Sequence, residues 1–510
     1  MGLQDDLRRK IRVKVSPSQV DRGLDAIPGL FVLLALSLAI VGAAIMPYGI
    51  VWLAVLAAGY SGARFVFSAR AFVRGLEYIR QAEVTDWRAR YAAEVTADSL
   101  PWEHVHHVVL IPNYNEPLEI LHKTLDRLAE SAEALQMTIV LAMEAAEPDS
   151  AAKGEALQAA YAGRFAALLY TVHPVGLPGE TRCKSANLAW AGRWIKRQLV
   201  DQGGDVPESI VVTAMDADTL WHPQYFTALT YHFALDPQRH QRFWQAPIRY
   251  HGNIYSLHPM FRLSSVYANA MELAYLAAAW WSSLPISSYS LSLRLLESSG
   301  YWDTNVIADE WHMYIKAFFA QRGDVTLQPI YLPFLATAVT GRTFWEGFWN
   351  RYHQTVRHAW GSKEIGYTIA QMWAQPNTPG AGRLFLTVTH DLINTGAGWV
   401  FITAGSQLPV LFYPTLLNEM LGGGWLTVPF VLFQIIALII AGLGLFCLLM
   451  DMRLRPPRPA PPTPRERWQT ALGFVLLPIF VFFFVVLPVL HAQMRLLLGQ
   501  SLTFEVTAKT

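Results

Sequence analysis

The sequence predicts a mixed α/β domain, built on a mostly parallel sheet and inserted between membrane-spanning helices. Between residues 104 and 341, short apolar strands alternate with helical stretches, the pattern of parallel strands joined by crossover helices. On both sides of that region lie apolar runs approaching the ~20 residues that a spanning helix needs. Within it, Ile210-Val211-Val212-Thr213-Ala214-Met215-Asp216-Ala217-Asp218-Thr219 is a strand-forming run that ends in two aspartates one residue apart. Open α/β sheets gather ligands at that carboxyl edge. Two aspartates there can hold a divalent cation and, through it, a diphosphate.

Composition agrees with this division. A chain of 510 residues exceeds one ordinary core, so two or three structural units are expected. It is 53% hydrophobic and 15% charged, away from the globular average. A net charge of +1 supplies no field for nucleic acid, and two cysteines make no disulfide framework.

Residues 1–27 are basic. The runs 28–46 and 50–68, separated by Pro47-Tyr48-Gly49, read as a transmembrane hairpin over 28–68. A cleaved signal peptide ending near Gly42-Ala43-Ala44 is the competing reading of the first run, and the second run so soon after it favours the hairpin. The basic terminus places the outer ends of the hairpin in the cytoplasm. Residues 69–103 read as an interfacial helix and linker. In the 104–341 domain, strands are expected at 107–112, 138–143 and before Asp216, with helices at 116–133, 149–167 and 184–199. Residues 342–373 mix aromatic and basic side chains, as amphipathic interface helices do. Spanning runs follow within 384–493, at 384–405, 425–450 and 470–490. The loop 451–468, with six prolines and five arginines, is expected in the cytoplasm, and 406–424, with no Lys or Arg, outside.

Three further motifs stand at strand ends or helix starts. Pro112-Asn113-Tyr114-Asn115-Glu116-Pro117 closes the first strand and can face a nucleoside. Glu144 closes the second, while Glu147 and Asp149 read as solvated turn residues. Lys184 and Asn187 open a helix after Gly179-Glu180-Thr181-Arg182-Cys183, where a lysine supplies a point charge for phosphate. The spacing is not that of a Walker loop.

With these motifs the sequence resembles glycosyltransferase family 2, in particular its membrane-bound cellulose-synthase-like members, over about residues 105–365. The resemblance implies a GT-A type domain and donor-binding roles for Pro112, Asn115, Glu116, Glu144, Lys184 and Asn187, with Glu144 standing where the family commonly has aspartate. It implies metal binding, Mg²⁺ or Mn²⁺, by Asp216 and Asp218. Gln245-Ala246-Pro247 looks like an acceptor-side Gln-Thr-Pro segment. Asp309-Glu310 resembles the end of a Thr-Glu-Asp motif whose last acid is the general base; either of the two carboxylates can act. Gln354-Thr355-Val356-Arg357-His358 is similar to Gln-x-x-Arg-Trp, whose Gln and Arg hold the donor diphosphate and acceptor. His358 takes the place of the Trp, and Trp360 follows two residues later. Phe504 to Lys509 resembles a donor-covering loop in the tail, 494–510. A cytoplasmic tail then requires one apolar run not to cross fully, and the run holding Pro478 and Pro488 can be re-entrant.

The expectation is therefore an integral-membrane enzyme with its catalytic domain in the cytoplasm. It would move a hexosyl unit from a UDP-sugar, with inversion, to a glycan or lipid acceptor among membrane lipids. A catalytically degenerate scaffold subunit of a polysaccharide-synthesis complex is the alternative.

Overall fold

The computed structural model describes residues 17–500. The basic cluster before Pro17 and the Phe504 to Lys509 motif lie outside them. Helix α1 (Pro17–Ile45) and helix α2 (Pro47–Glu83) form the hairpin, with the turn at Met46 and Pro47 at the start of α2, where its missing N–H costs nothing. Helix α2 does not stop near residue 68, as expected from the charged stretch that follows. It runs 37 residues, about 55 Å at 1.5 Å per residue, so it passes well beyond a ~30 Å hydrocarbon core. Its continuation has a buried face, Ala71, Phe72, Gly75, Ile79 and Ala82. Gly75 lets Leu273 approach so closely that a Cβ would lie 2.6 Å from it. The 69–103 linker is thus this extension, then helix α3 (Trp87–Glu94), capped by the Asp86 carboxylate.

The α/β domain is organised on a seven-stranded sheet in the order β3-β2-β1-β4-β7-β5-β8. Its first half is parallel: β1 (His106–Pro112), β2 (Met137–Glu144), β3 (Ala167–His173) and β4 (Ile210–Ala214). Helices α4 (Leu118–Ala129), α5 (Ser150–Ala160) and α6 (Lys184–Lys196) make the connections. The sheet is more mixed than its sequence suggests. Helix α7 (Tyr225–Leu235) leads to β5 (Arg242–Gln245), and short β6 (Ile248–Arg249) follows. Helix α8 (Pro259–Ala277) then leads to β7 (Tyr289–Ser292), which pairs antiparallel with both β4 and β5. Serines at every second position of β7 hide it from a hydrophobicity pattern. Ser290 is nevertheless buried, and its hydroxyl pairs with Thr213 at 2.8 Å and Tyr225 at 3.0 Å. After helix α9 (Leu293–Ser298) and helix α10 (Asp309–Ala320) come β8 (Thr326–Pro329) and β9 (Phe334–Leu335). Strand β9 pairs with β6.

Alternation in β1 sends Val109 and Ile111 to one apolar layer and Val108 and Leu110 to the other. All five residues of β4 are buried. At roughly 1.5–3 kcal/mol per buried aliphatic side chain, this strand is a rigid post for the aspartates just beyond it.

Beyond the domain, helix α11 (Phe344–Ala359) and helix α12 (Lys363–Ala374) are joined by one tight turn. Trp345 and Trp349 are exposed on α11. The apolar run near 384–405 is helix α13 (Ala381–Ile393) and helix α14 (Trp399–Phe412), joined by the π-helical turn Asn394–Gly398. It lies antiparallel to α2: Asp391 meets Arg64, Gly405 faces Ala54, and Tyr413 bonds Ala44 at the hairpin turn. Helix α15 (Leu416–Leu421) precedes helix α16 (Thr427–Leu454). Among the described residues four helices are long and apolar enough to cross a membrane: Asp21–Ile45, Pro47–Glu83, Thr427–Leu454 and Ile479–Leu498.

The last of these has unusual neighbours. Helix α17 (Pro464–Val475) is held by Glu466 to Arg262, and Gly473 abuts Leu263 of α8. After helix α18 (Leu477–Val481) and a π turn, Phe484 packs on Phe261 and on Phe348 of α11. Helix α19 (Leu487–Leu498) ends with its Leu496 and Leu497 carbonyls accepting from Arg22, near the start of α1. The run therefore begins against α8 and ends against the first turns of α1.

Candidate active site

Strands β1, β2 and β4 end along one edge of a cavity of about 990 Å³, lined there by Pro112, Asn115, Glu116, Glu144, Asp216 and Asp218. The turn after β4 is held from two sides. Thr124 of α4 donates to the Ala217 carbonyl at 2.7 Å, and the Asp216 amide donates to the Ser288 hydroxyl at 3.1 Å. Both aspartates face the cavity, Asp218 the more buried.

Lys184, at the first position of α6, reaches into the centre. Its ammonium lies 2.8 Å from Asp216, 3.2 Å from Glu310 and 3.8 Å from Asp309, and donates to the Ser287 carbonyl at 3.1 Å. Burial works against its charge, yet Asp216, Asp309 and Glu310 raise it well above the usual lysine value. The ammonium is shared by three carboxylates. Two carboxylates facing a cavity fit a divalent ion whose remaining ligands are substrate phosphates and water. Among the described residues, no group of three or more His, Cys, Asp or Glu side chains is arranged to hold a metal by itself.

Asp309 and Glu310 occupy the first turn of α10, where the helix dipole favours acids, but their settings differ. Asp309 is 3% exposed; burial first, and then the adjoining Glu310, push it well above the usual carboxylate range. The Glu310 side chain is 22% exposed and open to the cavity. Behind them His312 bridges Glu364 at 2.8 Å and Asp303 at 2.9 Å, tying α10 to α12. Burial opposes a charge on that imidazole, but the two carboxylates raise it to about 9.

The nucleoside side has its own braces. Glu144 is held by His173, whose Nδ1 lies 3.2 Å from both carboxylate oxygens, and His173 Nε2 reaches Glu180 at 2.8 Å. Asn115 has φ +55, a left-handed conformation that asparagine tolerates. Glu147 is not a solvated turn residue. It is buried, and accepts from the Asn113 side chain at 3.1 Å, the Asn115 amide at 2.8 Å and Lys153 at 2.8 Å. Asn187 is also buried; its side-chain amide donates to the Ala142 carbonyl at 2.7 Å, and its Oδ1 has no partner among the described residues.

Gln354, Arg357 and His358 share one face of α11, by i, i+3 and i+4 spacing, and line the opposite wall. Two expected acceptor residues are elsewhere. Trp360 points away, packed on Val489, Ala492 and Leu496, because it follows α11 in a tight turn that the last helix covers. Gln245 is buried outside the cavity wall. Its side chain accepts from the Ile286 amide at 2.9 Å and donates to the Ala246 and Ile286 carbonyls. It thereby pins the loop whose Ser287, at φ +59, donates to Asp216 at 2.7 Å. Ser287 had a sequence signal, the Ser282-Ser283-Leu284-Pro285 turn cluster just before it. Glu147 and His312 had none, because each is defined by partners on other elements.

The matched family is consistent with this edge. Residues 211–486 match the model of glycosyl transferase family group 2, more than half of the chain. The chain belongs to that family: it is a nucleotide-sugar glycosyltransferase carrying membrane-spanning helices. Among solved structures, it is similar at 16% identity to the mannosyltransferase PcManGT from Pyrobaculum calidifontis, in complex with GDP-Man and Mn²⁺. That match covers 86% of this chain and 99% of the other, with a TM-score of 0.42. TarS from S. aureus matches at 11% identity over 60% of this chain and 55% of its own, with a TM-score of 0.30. No curated protein matches the chain.

Proposed function

We propose that the cavity transfers a hexosyl unit from a UDP-sugar to an acceptor at the membrane, with inversion, on a GT-A type domain facing the cytoplasm. The observation that carries this reading is the meeting of Asp216, Asp309 and Glu310 within 4 Å of the Lys184 ammonium, in a cavity that continues to the membrane helices. Glu310 is the base: it is open to the cavity, whereas Asp309 holds its proton near neutrality. Asp309 then serves as a neutral neighbour that keeps the pair from carrying two charges. Lys184 and Arg357 stabilise negative charge on the departing diphosphate. Asp216 and Asp218 would hold Mg²⁺ or Mn²⁺, which when bound neutralises charge on the leaving group. Glu144 and the Asn113 to Glu116 segment receive the nucleoside, held in shape by His173 and Glu147. The motifs of the cellulose-synthase-like members support this assignment, with departures at Glu144 and His358, and with Trp360 and Gln245 in positions that fit packing roles.

Purified full-length protein in nanodiscs should release UDP from one of a panel of UDP-sugars when Mn²⁺ and native membrane lipids are supplied. Asp216→Asn or Asp218→Asn should lower that turnover by orders of magnitude with the melting temperature unchanged. Full activity in either variant, or in excess chelator, removes the metal role. Absence of UDP release with every donor favours the scaffold reading.

A further inference from the structure

The cavity does not end at the catalytic carboxylates. It continues along Glu272, Tyr275, Trp281, Thr387 and Asp391 to the flank of the membrane helices. There, Arg64 of α2 pairs with Asp391 of α13 at 2.8 Å, and His390 accompanies them. The Tyr60 hydroxyl meets His390 Nε2 at 2.6 Å. Arg64 also lies over the Trp281 ring, 4.8 Å from its centroid, and its second terminal nitrogen is buried with no hydrogen-bond partner among the described residues. Ionisable groups on spanning helices are costly and mark substrate pathways. None of these residues belongs to the motifs that carry the transfer chemistry.

Depth and surroundings say what reaches this place. Arg64 stands 17 residues past Pro47, about 26 Å along α2 from the hairpin turn, close to the far boundary of a ~30 Å hydrocarbon layer. The cluster is open sideways. Tyr60 is exposed, and so are apolar side chains of the same two helices, Leu56 and Phe67 on α2 and Leu386 on α13. An occupant therefore has a polar end among Arg64, Asp391 and Trp281 and an apolar body along α2 and α13. Charge narrows the head. Arg64 is already matched by Asp391, so it brings no surplus positive charge to hold a phosphate. Burial, with help from Asp391, pushes Glu272 up to about 8, leaving it a neutral hydrogen-bond donor near pH 7. Carboxyl groups, an imidazole and the indole beside them together suit the hydroxyls of a sugar.

Resting on the transfer reading above, we propose that this membrane end of the cavity binds the acceptor: a lipid with a neutral, hydroxyl-rich headgroup, entering from the bilayer between α2 and α13. Its hydroxyl then points along the cavity to Glu310.

The test separates binding from catalysis. Full-length protein in phosphatidylcholine nanodiscs is irradiated with a photoactivatable glycosyl-diacylglycerol, a phosphatidic-acid probe of the same chain length, or a water-soluble photoactivatable oligosaccharide, and the labelled peptides are mapped. The glycosyl lipid should label the segments 272–281 and 387–391 at least ten-fold above the phosphatidic-acid probe. Trp281→Leu and His390→Ala should each cut that labelling ten-fold, and calorimetry should find UDP binding retained. Arg64→Ala is avoided because it strands Asp391. Equal labelling by both lipids, labelling elsewhere, or stronger labelling by the soluble oligosaccharide overturns the proposal. Loss of UDP binding by the unaltered protein instead overturns the transfer reading and leaves the lipid result to stand or fall by itself.

Discussion

Asp309 and Glu310 are adjacent in sequence and chemically alike, yet the fold gives them opposite properties. Burial pushes the Asp309 carboxyl up, whereas the Glu310 side chain is open to the cavity, where the proposed reading makes it the base. Glu310→Gln should therefore cost about 10²–10⁴ in kcat, the usual worth of a positioned general base. Asp309→Asn, which resembles the protonated acid, should stay within about ten-fold of the parent. Turnover measured by UDP release distinguishes them, and the reverse ranking would make Asp309 the base. His358 stands where the resembled motif carries a tryptophan, and it faces the cavity, whereas Trp360 does not. Among the described residues, α11 lines the cavity with Gln354, Arg357 and His358, so no indole of that helix stands there as a platform for a long glycan. Short products, or a single sugar on a lipid, are expected, and His358→Trp should lengthen them on chromatography. Trp360→Ala should instead lower stability, by about 3–5 kcal/mol if the void does not collapse, with product length unchanged.

Among elements, the decisive contact is the one that fixes α10, because its first turn carries both acids. His312 joins that helix to α12 through Asp303 and Glu364, with the Tyr367 ring 4.1 Å away and Lys316 also on Asp303. Its folded pKa of about 9 lies above the ordinary 6.5. The stabilisation from that raised value is fully present below pH 6.5 and is lost as pH rises through about 9. A shift of this size corresponds to roughly 3 kcal/mol at most. Chemical denaturation between pH 6 and 10 should show this loss, and His312→Gln should flatten it over the same window. An unchanged slope in the variant would mean that the imidazole is neutral in the fold.

For the whole molecule, the order of contacts along the membrane region bears on the sidedness proposed above. The stretch 464–498 starts on α8, passes α11 and closes on the first turns of α1. These contacts are the ones expected of a run that does not cross, although its length and hydropathy would let it cross. Topology is open to a direct check. With Cys447 replaced, a cysteine at Ala460 should resist an impermeant thiol reagent applied to intact cells, as should one at Gln500. Labelling of Ala460→Cys from outside reverses the orientation. Labelling of Gln500→Cys alone means that the last run crosses.

Much of this protein is legible from contiguous residues, because the signals are local. Period-two burial in β1, the apolar runs, the strand ending in Asp216-Ala217-Asp218 and the Asp309-Glu310 pair need only neighbours in the chain to be recognised. Where the serines of β7 break the apolar pattern, the strand was not visible, since its burial depends on hydroxyl partners in β4 and α7. Only the tertiary structure decided which side chains share the cavity. Lys184 meets a glutamate 126 residues away, Arg64 meets an aspartate 327 residues away, and Gln245 and Trp360 turn from the site into packing. The physical reason is that a residue's type and spacing set which face of an element it occupies. What that face meets depends on how sheet, interface helices and membrane helices pack, and that is settled by contacts between segments far apart in sequence.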